Sequence, residues 1–122
     1  MITFDTSIWI DHLVRPDEHV SEYLEAREVL IHPHVIGEIA LGNLRNRSQV
    51  LRSLGELPGL RVANSVEVLA AIERNAIAGS GIGYVDANLV ASCLLTQDCK
   101  LWTRDRRLKS VVERLGLAPK LH

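Results

Sequence analysis

The sequence predicts an α/β protein, with three layers (α/β/α) built around a mostly parallel sheet of four or five strands. Three observations predict it. Short apolar runs of strand length, such as Ile2-Thr3-Phe4, Val29-Leu30-Ile31 and Leu101-Trp102-Thr103, alternate with longer stretches of helical period. The 122 residues are the length of one domain, expected to span 1–122. Hydrophobic residues make up 47% of the chain, enough to fill a core without disulfide or metal support.

The elements follow in order. Ile2 to Phe4 are the first strand, and Thr6 or Ser7 is the expected N-cap of a short helix carrying Ile8, Trp9 and Leu13. Arg15-Pro16 ends that helix, because a residue before proline avoids the helical region. Asp17 caps the next helix, with Val20, Tyr23 and Leu24 on its apolar side. Glu28 to His32 form the second strand, and Pro33 suits the first turn of a helix reaching Asn46. That helix is apolar nearly all round and is expected to be buried on most sides. A further helix runs to about Leu57, and Leu60-Arg61-Val62 is expected as a strand. Ser65 is expected to cap a helix bearing Val66, Leu69 and Ile72. Gly79 to Gly83 are a flexible loop without the glycine order of a dinucleotide site or the Lys-Ser/Thr of a P-loop. Tyr84 to Thr96 are a central apolar helix, Lys100 to Thr103 a strand, and Asp105 opens a last helix with Leu108, Val111, Val112 and Leu115 at helical spacing. Leu117 to His122 are expected to add an edge strand.

Composition excludes several classes. Aromatics are 4% of residues, which disfavours a nucleic-acid reader built on stacking platforms. Cys93 and Cys99 match no metal-binding spacing, and Cys93 sits in an apolar run as a small core residue. No uncharged apolar run approaches the roughly 18 residues of a membrane span, and Asp5 and Asp11 interrupt any signal-like core. A soluble, cytoplasmic protein is expected. The net charge is -1, but it is unevenly placed. Residues 1–38 hold eight acids and two bases, whereas residues 100–120 hold seven bases and two acids. Such asymmetry can set an acidic pocket beside a basic flank.

Four acids carry the chemistry. Asp5 and Asp105 each follow a strand, and in parallel sheets those carboxyl ends share one edge, where ligands bind. Asp86 falls in the first turn of its helix, and Glu38 lies in a helix that offers it no polar face. Asp5, Asp86 and Asp105 also suit helix starts for purely local reasons. Carboxylates brought close together repel, and a hard divalent cation removes the conflict. Mg²⁺ or Mn²⁺ takes a few carboxylates together with phosphate oxygens, so an acidic site beside arginines indicates metal-assisted phosphodiester hydrolysis. Arg45, Arg47, Arg104, Arg106 and Arg107 are the candidate phosphate contacts.

The chain resembles the PIN-domain ribonucleases, and among them the VapC-type toxins of toxin–antitoxin pairs. Phe4-Asp5-Thr6-Ser7-Ile8-Trp9-Ile10, Val35-Ile36-Gly37-Glu38-Ile39, Tyr84-Val85-Asp86-Ala87-Asn88-Leu89-Val90-Ala91 and Leu101-Trp102-Thr103-Arg104-Asp105 carry the resemblance in that order. It implies that Asp5, Glu38, Asp86 and Asp105 form an acidic quartet, with Asp5 and Asp86 the primary Mg²⁺ ligands and the other two completing the site. It implies supporting hydrogen bonds from Thr6 and Thr103. It further implies an endoribonuclease acting on structured RNA such as transfer or ribosomal RNA, a VapB-type antitoxin partner, and a homodimer. Two other readings compete. One is a PIN-like metal-binding protein that acts through a protein partner without nuclease activity. The other is a different phosphoryl-transfer domain, but a receiver would place a lysine after the last strand, and an aspartyl-phosphate phosphatase would have an Asp where Ser7 stands.

Overall fold

Every residue of β1 (Ile2–Phe4) is buried, so both faces of the sheet are covered at its centre. The computed structural model describes residues 1–121. After β1 come α1 (Thr6–Val14), α2 (Glu18–Glu25), β2 (Val29–Leu30), α3 (Pro33–Ala40), α4 (Arg47–Glu56), α5 (Ser65–Arg74), α6 (Tyr84–Leu95), β3 (Lys100–Trp102) and α7 (Arg106–Arg114). The sheet is parallel throughout, with β1 in the middle (order β2-β1-β3). Thr3 pairs with Leu30 on one side and Leu101 on the other, so the carboxyl ends of all three strands share one edge.

The α/β class is as expected, but the sheet has three strands among the described residues rather than four or five. The reason lies in where the backbone hydrogen bonds go. A fourth strand begins beside β2 with a single parallel bridge, Ile31 to Gly59. It stops there because the next free N–H groups turn to α6: Arg61 N–H donates to the Thr96 hydroxyl (3.1 Å) and Ala63 N–H to Ser92 Oγ (3.0 Å). On the other edge, Leu101 N–H donates to the Leu117 carbonyl at 2.9 Å. Pro119 follows two residues later and cannot donate, so no edge strand forms over 117–121; His122 lies outside the described residues.

Two helix expectations are corrected. α3 ends at Ala40 instead of reaching Asn46. Gly42 and Asn43 are weak helix residues, and Arg47 folds back to donate to the carbonyls of Ala40 (2.5 Å) and Gly42 (3.2 Å). Nor is α3 buried on most sides: Val35 and Ile39 face the core, while His34, Gly37 and Glu38 are exposed. The capping residues also differ by one position. Asp5 rather than Thr6 or Ser7 caps α1, and Asn64 rather than Ser65 caps α5 through a reciprocal box with Glu67.

The core is aliphatic around a small aromatic knot. Phe4 meets Trp9 of α1, Tyr23 of α2 and Trp102 of β3 edge-on, at centroid distances of 5.2, 6.2 and 5.8 Å. Ala63, Val68, Ala87 and Ala91 form a second cluster, where small side chains let α5 and α6 approach closely. Cys93 and Cys99 are buried and unpaired. No helix among the described residues is long and apolar enough to cross a membrane.

Candidate functional site

β1 ends in Asp5, whose side chain is both the cap of α1 and the most enclosed acid of the sheet edge, 3% exposed. Its Oδ1 accepts from Ile8 N–H (3.1 Å) and from Ser7 Oγ (2.6 Å), and its Oδ2 accepts from the Thr103 hydroxyl. Ser7 Oγ in turn accepts from Arg104 N–H at 3.3 Å, and Thr103 Oγ1 from Asp105 N–H at 3.0 Å. The ends of β1 and β3 are thus laced together through hydroxyls. Burial raises the Asp5 pKa above its ordinary value; the bonds from Ser7, Thr103 and Ile8 oppose this, and the charge of Asp105 adds to it.

The other three acids come from three separate helix contexts. Asp105 is exposed and caps α7 by accepting from Leu108 N–H (3.0 Å). Glu38 is exposed on the outer face of α3, which corrects the expectation of a buried carboxylate; its Oε1 accepts from Thr6 Oγ1 at 2.6 Å. Asp86 stands partly buried in the first turn of α6, where the helix dipole favours an anion. Its pKa is nonetheless pushed up to about 6, first by burial and then by the charges of Asp5, Glu38 and Asp105. Asp86 thus feels the charges of the other three acids, with burial the larger cause of its shift.

An all-oxygen set of four acids with an excess of negative charge fits a hard divalent cation. The fit is one of donor chemistry and charge. Among the described residues, no group of three or more His, Cys, Asp or Glu side chains is drawn together as a ready-made cation cage.

The arginines divide into two groups. Arg104 is committed to the protein: it pairs with Asp11 (2.6 Å) and Asp17 (2.9 Å) and lies over the Trp102 ring at 5.3 Å. Arg47 is committed to the end of α3. Arg45, Arg106 and Arg107 are exposed, with Arg107 donating to the Gly81 carbonyl at 3.5 Å. Sequence reasoning did not assign Ser7 as a donor to Asp5 or place Arg104 between two acids. The first was signalled by the Asp-x-Ser spacing of a helix cap, since a side chain two residues on can turn back to its cap. The second had no local signal, because Arg104 and its partners lie 87 and 93 residues apart. His32 is structural: fully buried, it caps α3 by accepting from His34 N–H at 3.0 Å.

A parallel α/β sheet whose central strand ends in the buried Asp5 fits a known class, and the model of the PIN domain matches residues 2–113: the chain belongs to the PIN-domain family. Within that family it is of the VapC type. Two curated relatives, each named Ribonuclease VapC32 and drawn from two strains of Mycobacterium tuberculosis, are each 43% identical over 118 residues, which is 97% of this chain and 95% of the relative.

Proposed function

We propose that the protein is a divalent-metal-dependent endoribonuclease, the toxin of a type II toxin–antitoxin pair, which hydrolyses phosphodiester bonds in structured RNA such as transfer or ribosomal RNA. The observation that supports the reading is Asp5, buried at the carboxyl edge of the sheet and held there by Ser7, Ile8 and Thr103 in a chain of the PIN-domain family; the charges of Asp5, Glu38 and Asp105 also reach Asp86, whose pKa burial already raises. The relationship to the ribonucleases named above supports RNA as the substrate.

In this reading Asp5 and Asp86 hold Mg²⁺ or Mn²⁺, and Glu38 and Asp105 complete the site. A bound ion of this kind supplies Lewis acidity toward a phosphate oxygen and a more acidic water. The residues around it do the positioning. Thr103 and Ser7 fix the two Asp5 oxygens, so that side chain loses little freedom on binding. Thr6 orients Glu38 in the same way. Arg45, Arg106 and Arg107 present guanidinium groups to substrate phosphates. Arg47 and Arg104 act on the protein side, holding the end of α3 and the junction of α1 with α2.

The reading includes a cytoplasmic setting, a VapB-type antitoxin and a homodimer. Val66 and Leu69, 74% and 59% exposed, lie three residues apart on α5 and leave an apolar stripe of the sort that partners cover.

The test is cleavage of labelled total RNA by purified protein with Mg²⁺ or Mn²⁺, with EDTA, and beside the Asp5→Asn variant. Discrete fragments that vanish with chelator and with the variant are expected. Folded protein that binds Mn²⁺ yet yields no fragments would turn the assignment toward a binding protein acting through its partner.

A further inference from the structure

α7 contributes three arginines to one cavity. Arg106, Arg107 and Arg114 line one side of a cavity of about 460 Å³, and Gly79 and Ser80 of the preceding glycine loop line the other, with Ser110 beside the arginines. No carboxylate lines it. Among the described residues, the ion pairs involve Arg104 and Lys109, so none of these three arginines is neutralised.

The cleft is held in shape. Arg114 donates to the carbonyls of Asn75 (2.7 Å) and Ala76 (3.3 Å), spending two of its five N–H groups on the loop. Arg107 reaches the Gly81 carbonyl, and its Cδ lies so close that a Cβ on Gly81 would stand 2.9 Å from it. Gly79 and Gly81 both have positive φ, 78° and 86°, which lets the loop curl toward α7. Arg106 is exposed, and among the described residues it enters no ion pair.

We infer that this cleft is a phosphate subsite that takes the sugar–phosphate backbone of the RNA strand beside the scissile bond. The inference rests on the ribonuclease reading. Three guanidinium groups that face no carboxylate, with the hydroxyls of Ser80 and Ser110, match a run of phosphates, since arginine forks bind phosphate oxygens in pairs. The cleft carries no aromatic side chain, so it positions a strand without reading its bases. The chain joins it to the acidic edge at both ends: Arg106 follows Asp105 directly, and the loop runs through Gly83 into the helix that bears Asp86. A strand seated here is led toward the four acids.

The test is fluorescence anisotropy of a labelled single-stranded oligoribonucleotide in EDTA, from 50 to about 300 mM salt, so that binding is read without cleavage. For the Arg106→Gln/Arg107→Gln pair, affinity should fall about tenfold at low salt. The slope of log K against log salt should flatten by about 1.4, at roughly 0.7 per lost phosphate contact. Arg114→Gln should flatten it by about 0.7, with thermal melts separating any loosening of its loop. Lys109→Gln, on the same helix but paired with Glu113, should leave the slope unchanged. Folded Arg106→Gln/Arg107→Gln protein with unchanged affinity and slope would overturn the subsite. So would displacement of the RNA by polyglutamate at equal charge, which would assign the cleft to an acidic protein. If the slopes flatten but no metal supports cleavage, the subsite stands and the nuclease reading fails.

Discussion

The acidic edge meets the N-terminus of α7, through Asp105, and the basic cleft runs along the same helix from Arg106 to Arg114; the two are built in opposite ways. At the edge, charge is costly and closely supported: Asp5 is buried and takes three hydrogen bonds, and Asp86 is pushed up to about 6 by burial and its neighbours. In the cleft, charge is solvated and left unpaired, with two of three arginines tied to backbone carbonyls and none to a carboxylate. A site that must hold one small ion at fixed geometry needs the first design. A surface that must slide along a flexible polyanion is served by the second. Arg104 shows what happens at the boundary: two acids claim it, and it becomes a brace between α1 and α2 instead of a ligand contact.

The largest expected effect breaks the edge alone. Asp5→Asn should lower RNA cleavage by on the order of 10³-fold or more, measured as initial rates on a labelled RNA. RNA affinity in EDTA should stay within about twofold, because the cleft is untouched. A parallel loss of binding would mean that the two regions are not separable.

Next comes the pH response of the neighbouring strand end. His32 is fully buried, its Nε2 has no hydrogen-bond partner among the described residues, and its pKa is lowered to about 4 by burial and by the charge of His34. The unfolded chain therefore binds this proton more tightly than the folded one. Its contribution is fully present above the ordinary histidine value near 6.5 and is lost as pH falls from there to about 4. The loss is of order 3 kcal/mol. Denaturant melts across that window should show it, and His32→Asn, which keeps a capping oxygen, should remove that part of the slope. Identical pH slopes for the two proteins would contradict the assignment.

Thr103→Val takes a donor from the buried Asp5 and should cost about 1–3 kcal/mol of stability, read by chemical denaturation, with cleavage lowered as well. The smallest effect belongs to the cleft. Gly81→Ala places a Cβ at positive φ and against Arg107, which should cost about 1–2 kcal/mol. It should weaken RNA binding severalfold and leave Mn²⁺ affinity unchanged; a change in Mn²⁺ affinity would show that loop and edge move together.

What could be read from the sequence follows the same division. The edge is written locally: a strand, an acid and a hydroxyl recur at Phe4-Asp5-Thr6 and near Trp102-Thr103-Arg104-Asp105, and parallel topology does the rest. The place of Asp86 in the first turn of an apolar helix is legible in the same way. The position of Glu38 was legible but its burial was not, because apolar composition around α3 concealed an exposed face made by His34 and Gly37. The sheet was overcounted because backbone donors near Arg61 and Ala63 find side chains of α6, a tertiary choice that no periodicity records. The cleft was the least legible, since it needs α7 and a glycine loop more than twenty residues earlier to face each other.

The most direct test of the account is calorimetric titration of Mn²⁺ into the protein and its Asp86→Asn variant, with melting curves in EDTA alongside. If the four acids form one cation site, Mn²⁺ binds the unaltered protein and its affinity falls sharply in the variant. The metal-free variant melts higher, by about 1 kcal/mol of stability, because a crowded charge is gone. Equal Mn²⁺ affinity in both proteins, or a variant that melts lower without metal, would contradict the claim that repulsion among these acids is what the ion relieves.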